Sequence, residues 1–265
     1  MSRAKALKTS GRSAEHGELR LRADNVRALA GREIKRTWRS YLTSGLINVL
    51  FGLIAVFQAF LVWGVVGPEQ GNMEGSSFVI ADIVFVFLLA NLAANWTSPR
   101  YMNTRDDTFS EYLEFLKTLP ILPSEAVAGR AAVMLAASVV MSLAFFAPLY
   151  VFAGEGIWST LGLGHYLSFA AVWVAYGLIS CGGLLYLEFG VRGAAFRFWC
   201  MMVWSVVLLA AVLTCNYVLD IHLVAGSLAL TNEYGALAAT GALAVGLSGF
   251  ALLALATARR AARRL

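Results

Sequence analysis

The stretch Asp106-Asp-Thr-Phe-Ser-Glu-Tyr-Leu-Glu-Phe-Leu-Lys-Thr-Leu-Pro120 is charged and amphipathic, and long apolar runs lie on both sides of it. Thr108 followed three residues later by Glu111 has the capping-box arrangement, in which each side chain satisfies a backbone N–H left open at a helix start. Phe109, Tyr112, Leu113 and Leu116 fall at i, i+3, i+4 and i+7 and share one face, while Glu111, Glu114 and Lys117 point elsewhere. Pro120 ends the pattern, and Pro123 follows it. The spacing predicts a short helix from Thr108 to Leu119 whose apolar face must pack on something.

The flanking runs set the fold class. Of 265 residues, 59% are hydrophobic and 14% charged, and the mean hydropathy is +0.69. A soluble domain carries about a quarter charged residues, so the composition is that of an integral membrane protein. A spanning helix needs about 20 apolar residues. Six runs reach that length: 46–67, 78–96, 126–153, 166–187, 198–219 and 236–258. The expected fold is all-α and polytopic, with six transmembrane helices, an N-terminal amphipathic interfacial helix and a cytoplasmic helix between the second and third spans. Arg130 stands near the start of the third run, where its long side chain is expected to snorkel to the interface.

Residues 1–18 lack apolar periodicity and read as a disordered tail, with no cleaved leader expected. In 19–45 a stripe of Val26, Leu29, Ala30, Ile34, Trp38 and Tyr41 is flanked by Arg27, Arg32, Lys35, Arg36 and Arg39. That pattern predicts an interfacial helix with aromatic residues at headgroup depth and basic residues reaching anionic lipid. Residues 46–258 hold the spans, and 259–265 form a basic tail.

Charge gives the orientation. Of the 21 Lys and Arg, eleven precede the first run, and the others lie in 97–130 (Arg100, Arg105, Lys117, Arg130), in 188–197 (Arg192, Arg197) and in the tail. The alternate loops near 68–77, 154–165 and 220–235 contain none, but carry Glu69, Glu74, Glu155, Asp220 and Glu233. Cytoplasmic loops retain basic residues, which puts both termini in the cytoplasm and makes the net charge of +5 a topology signal. It does not point to a nucleic-acid partner.

The plan and the loop together resemble the ABC-2 type permeases, the membrane subunits of ABC exporters. The residues that carry the resemblance are Glu111 and Glu114, Leu113 and Leu116, Leu119-Pro120, Ser124-Glu125 and Gly129-Arg130, in the family's order and spacing. The chain differs in having Asp106-Asp107 where a basic pair often stands. The resemblance implies a coupling helix over 108–119 that docks on a separate cytoplasmic ABC ATPase subunit. Its partner-binding residues would be Thr108, Phe109, Glu111, Tyr112, Leu113, Leu116, Leu119 and Pro120. It also implies a connecting helix over Val26–Tyr41, a lesser contact in the 188–197 loop, an outer loop over 220–234 that folds back toward the membrane, and a second permease copy in a homodimer or paired heterodimer. ATP and Mg would be bound by the partner, because this chain has no P-loop motif.

Other chemistry has little support. Gly246-Leu-Ser-Gly249 suggests close helix packing, since a serine hydrolase needs a facing histidine and His16, His165 and His222 all lie outside the runs. The spacing of His165 and His222 has no zinc signature, and both read as solvated loop residues. Cys181, Cys200 and Cys215 fall in apolar runs as core thiols. Asp82 is the one ionisable group well inside a run and reads equally as an interface residue or as part of a transport path. Gln58, Asn91 and Asn95 either pair helices or line such a path. The expected function is a permease subunit in the plasma (inner) membrane, itself no enzyme. The alternative is a stand-alone secondary carrier or assembly scaffold.

Overall fold

A computed structural model of the chain describes residues 2–64, 76–90, 114–115, 118, 121–153, 162–191 and 205–263, with the backbone alone described for 2–22, 58–64, 76–78 and 153. Seven helices are described, and no strand occurs among the described residues: α1 (Ser2–Gly64), α2 (Ser76–Ala90), α3 (Pro123–Ala153), α4 (Gly162–Gly190), α5 (Ser205–Tyr217), α6 (Leu223–Tyr234) and α7 (Ala236–Ala262). Four are long and apolar enough to cross a membrane, within Ala23–Phe57, Pro123–Phe152, Gly162–Gly190 and Ala236–Ala262. The protein is therefore all-helical and of multi-pass membrane type.

The expected runs 126–153, 166–187 and 236–258 correspond to α3, α4 and α7, and 46–67 begins inside α1. The runs 78–96 and 198–219 are represented by α2 and α5, of 15 and 13 residues. Residues 91–96 and 198–204 lie outside the described residues. No break falls at residue 45, because α1 passes through the boundary between the amphipathic segment and the first run as one helix.

The exposure pattern of α1 explains why these helices need a bilayer. Its buried positions include Glu33, Thr37, Ser44 and Asn48, whereas Ile34, Trp38, Leu42, Leu46, Leu50 and Phe57 are exposed. A water-soluble helix buries the opposite stripe. The inward polar groups are satisfied locally or across the interface: Thr37 Oγ1 donates to the Glu33 carbonyl at 2.7 Å, and Asn48 Nδ2 to the Ser44 carbonyl at 2.9 Å. An apolar surface on the outside is favourable only where the surroundings are hydrocarbon.

The interior joins α2, α3 and α4 through aromatic rings. Phe85 of α2 lies 5.5 Å from Phe145 and 5.1 Å from Trp173, and Phe145 meets Phe146 edge-on at 5.0 Å. Edge-to-face pairs of this kind contribute about 0.5–1.5 kcal/mol each beyond their burial. Trp173 Nε1 also donates to Ser227 Oγ at 3.0 Å, tying α6 to α4.

Small residues set the seam between α4 and α7. A Cβ at Gly246 would stand 2.7 Å from the Ala175 Cα and 2.8 Å from its carbonyl oxygen, and one at Gly249 would stand 3.1 Å from Ile179 Cγ1. Ser248 faces outward. The Gly-Leu-Ser-Gly patch thus packs helices, as its composition suggests. Gly246→Val should lower stability by about 1–3 kcal/mol through overpacking against backbone that cannot yield, measured by unfolding in detergent. An unchanged midpoint would show that α7 does not sit on α4 in this way.

Candidate functional site

Two buried polar clusters stand out from the apolar bundle. The first forms where the start of α3 meets α1 and the end of α4. Pro123 occupies the first helical position, where its missing N–H costs nothing. Glu125, two residues further, accepts from the Leu122 N–H at 3.0 Å, the returning half of a capping box, and from Asn25 Nδ2 of α1 at 3.3 Å. Gly129 faces α1, where a Cβ would stand 3.2 Å from that of Leu29.

This close approach brings Arg130 between two carboxylates. Its Nε donates to Glu188 Oε2 of α4 at 3.1 Å, and its Nη1 pairs with Glu33 Oε1 of α1. Arg130 and Glu188 are each 4% exposed and Glu33 is 8% exposed. The expectation that Arg130 snorkels is therefore corrected: the guanidinium turns inward because two acids from neighbouring helices supply its counter-charge. A buried arginine without such partners would bear the desolvation cost alone. The placement of Glu188 in a loop is corrected too, since it lies inside α4. Two residues beyond Glu188, the Gly190 carbonyl accepts from Arg260 Nη2 of α7 at 2.7 Å, which satisfies an open acceptor at the end of α4.

The second cluster surrounds Asp82 of α2, which is fully buried. Its Oδ1 accepts from the Val224 N–H at 2.7 Å, and its Oδ2 from the Leu223 N–H and Asn216 Nδ2, both at 2.8 Å. Leu223 and Val224 are the first residues of α6, whose own cap residue, His222, makes no side-chain cap bond. Asp82 therefore caps α6 from another helix, and its negative charge lies at the positive end of that helix dipole. The turn into α6 uses Asp220 at φ 52°, a left-handed conformation that aspartate tolerates better than most residues. His222 Nδ1 lies 2.6 Å from Asn216 Oδ1, completing a chain from imidazole to amide to carboxylate.

The residues expected to form the coupling helix, Thr108, Phe109, Glu111, Tyr112, Leu113, Leu116, Leu119 and Pro120, lie outside the described residues, as do Asn91, Asn95, Arg192, Arg197 and Cys200. Gln58 is described only as backbone within α1. Between them, Glu114 and Phe115 are helical and exposed, and the Thr118 N–H donates to the Phe115 carbonyl at 3.1 Å. The Arg32 guanidinium stands 5.3 Å from the Phe115 ring centroid, linking this segment to α1. The reading of His165 and His222 as solvated loop residues is corrected in part: His165 lies in α4, and His222, in the turn before α6, is held by Asn216. Cys181 and Cys215 form no disulfide, and Cys181 Sγ sits 3.3 Å from Ser138 Oγ across the α3–α4 seam. Among the described residues no three His, Cys, Asp or Glu side chains converge to hold a metal.

Sequence reasoning does not single out Glu33 or Asn216, and it reads His222 as a solvated loop residue. The signal for Asn216 and His222 is a helix start at Leu223 whose immediately preceding residue is His222 and not serine, threonine, aspartate or asparagine. Such a start needs a cap from elsewhere. No protein-family model, characterised protein or solved structure matches this chain.

Proposed function

We propose that this chain is the membrane subunit of an ABC-2 type exporter, working as a pair of six-span permeases with two cytoplasmic ATPase subunits that bind ATP and Mg. The observation that carries this reading is the position of Arg130. It ends the loop segment 108–130 that resembles the family's coupling region, and it is clamped to Glu33 of α1 and Glu188 of α4. A push on a helix at 108–119 would travel down α3 into that clamp and so reach three helices at once. The charge count favours a cytoplasmic position for this end of the bundle, with both termini inside, and an exporter subunit of this kind would lie in the plasma membrane.

The missing P-loop makes a second chain necessary for ATP hydrolysis. Leu113 and Leu116 belong to the face that would enter the partner's groove. The double substitution Leu113→Asp, Leu116→Asp should remove a P-loop ATPase from material purified in mild detergent, with the permease itself still monodisperse. Native protein that brings down no ATPase, or a double variant that retains it in full, would reject the reading in favour of a stand-alone membrane protein.

A further inference from the structure

We propose that the groove between α1 and α3 is a binding site for one anionic phospholipid of the surrounding bilayer, its acyl chain between the helices and its phosphate held by Lys35 and Arg39. The inference needs only a membrane protein and stands whether or not the chain belongs to an exporter. The groove has a volume of about 290 Å³, and its walls include Ile34, Trp38 and Leu42 from α1 with Val133, Ala136 and Val140 from α3. Eight residues of α1 separate Ile34 from Leu42, so the groove runs for about 12 Å along the helix. No charged side chain among the described residues lines it. Its length, its apolar walls and the outward exposure of Ile34, Trp38 and Leu42 suit a hydrocarbon chain entering from the side.

The charge beside the groove selects the headgroup. The Arg39 guanidinium stands 5.5 Å from the ring centroid of Trp38, a groove wall, so a cation is already held at the rim by the indole face. Lys35 projects within about 20° of Leu42 around the helix, at 100° per residue. Both are exposed. The acids of the described side chains of α1 are Asp24 and Glu33, of which Glu33 is buried against Arg130 and Asp24 precedes Ile34 by ten residues. No described carboxylate pairs with Lys35 or Arg39, whereas basic residues at a membrane surface attract anionic lipid. Arg36 is exposed as well but projects about 200° from Ile34, away from the groove.

Fluorescence quenching by brominated lipids tests this. The full chain is reconstituted into vesicles containing brominated phosphatidylglycerol or brominated phosphatidylcholine at equal mole fraction, and the Trp38 contribution is obtained by difference from Trp38→Phe. The expected result is stronger quenching of Trp38 by the anionic lipid. The double substitution Lys35→Gln, Arg39→Gln should reduce that preference on the order of tenfold. Arg36→Gln should leave it intact, and Ala136→Phe should fill the groove and remove the anionic preference while the protein stays monodisperse. Free inorganic phosphate at matched ionic strength should not compete, since the site takes a lipid. Equal quenching by the two lipids, a preference that survives the double substitution, or displacement by free phosphate would each overturn the proposal.

Discussion

Arg130→Met should lower the stability of the folded protein by about 3–5 kcal/mol, the range found when one partner of a buried ion pair is removed and its acids are left without a counter-charge. Glu33 and Glu188 would then face each other across the space the guanidinium fills, in surroundings that exclude water. Unfolding by sodium dodecyl sulfate in mixed micelles provides the measurement. The loss has a built-in control: the triple variant Glu33→Gln, Arg130→Met, Glu188→Gln removes every charge at once and should regain most of the stability, because an uncharged buried site is often no worse than an ion pair. A single-variant loss under about 1 kcal/mol would mean that the cluster is solvated in the membrane.

Asp82→Ala should cost about 2–4 kcal/mol and loosen the beginning of α6. Three hydrogen bonds to a charged acceptor are lost together, and two of the donors are backbone N–H groups left open. Hydrogen exchange at Leu223 and Val224 should accelerate markedly while exchange in the middle of α3 stays slow. Asp82→Asn keeps one oxygen acceptor and should fall between the two. A transport-path role would predict a different result, with exchange at α6 unaltered and only transport changed. The geometry favours the cap, since both carboxylate oxygens are already engaged.

The four membrane-capable helices are legible in the sequence because their signal is local. Long runs such as 126–153 and 236–258 can be recognised by length and hydropathy alone, and their helices begin and end close to the expected residues. The inside-out polarity of α1 is less legible: the stripe from Val26 to Tyr41 predicts one face at the membrane interface, but in the structure it does not behave as one face. Val26 and Leu29 approach Gly129 of α3, while Ile34 and Trp38 turn outward. Only the packing of α3 decides which side of α1 is interior.

The polar clusters were not legible for the same reason. Arg130 meets partners 97 and 58 residues away in the chain, and Asp82 reaches donors 134 to 142 residues away. In the sequence each charge is isolated within its own run, which predicts snorkelling for Arg130 and leaves a transport role equally open for Asp82. The motif pair Gly129-Arg130 gains a physical account from the fold: the glycine admits α1 closely, and the arginine then lies within reach of Glu33.

The separation of Glu33 from Arg130 also sets a clock on biosynthesis. At about 5–20 residues per second, the ribosome needs roughly 5 to 20 s to add the 97 residues between them. During that interval Glu33 lacks the arginine it pairs with in the folded protein. The contact that ties α1 to α3 can therefore close only after the start of α3 has been made.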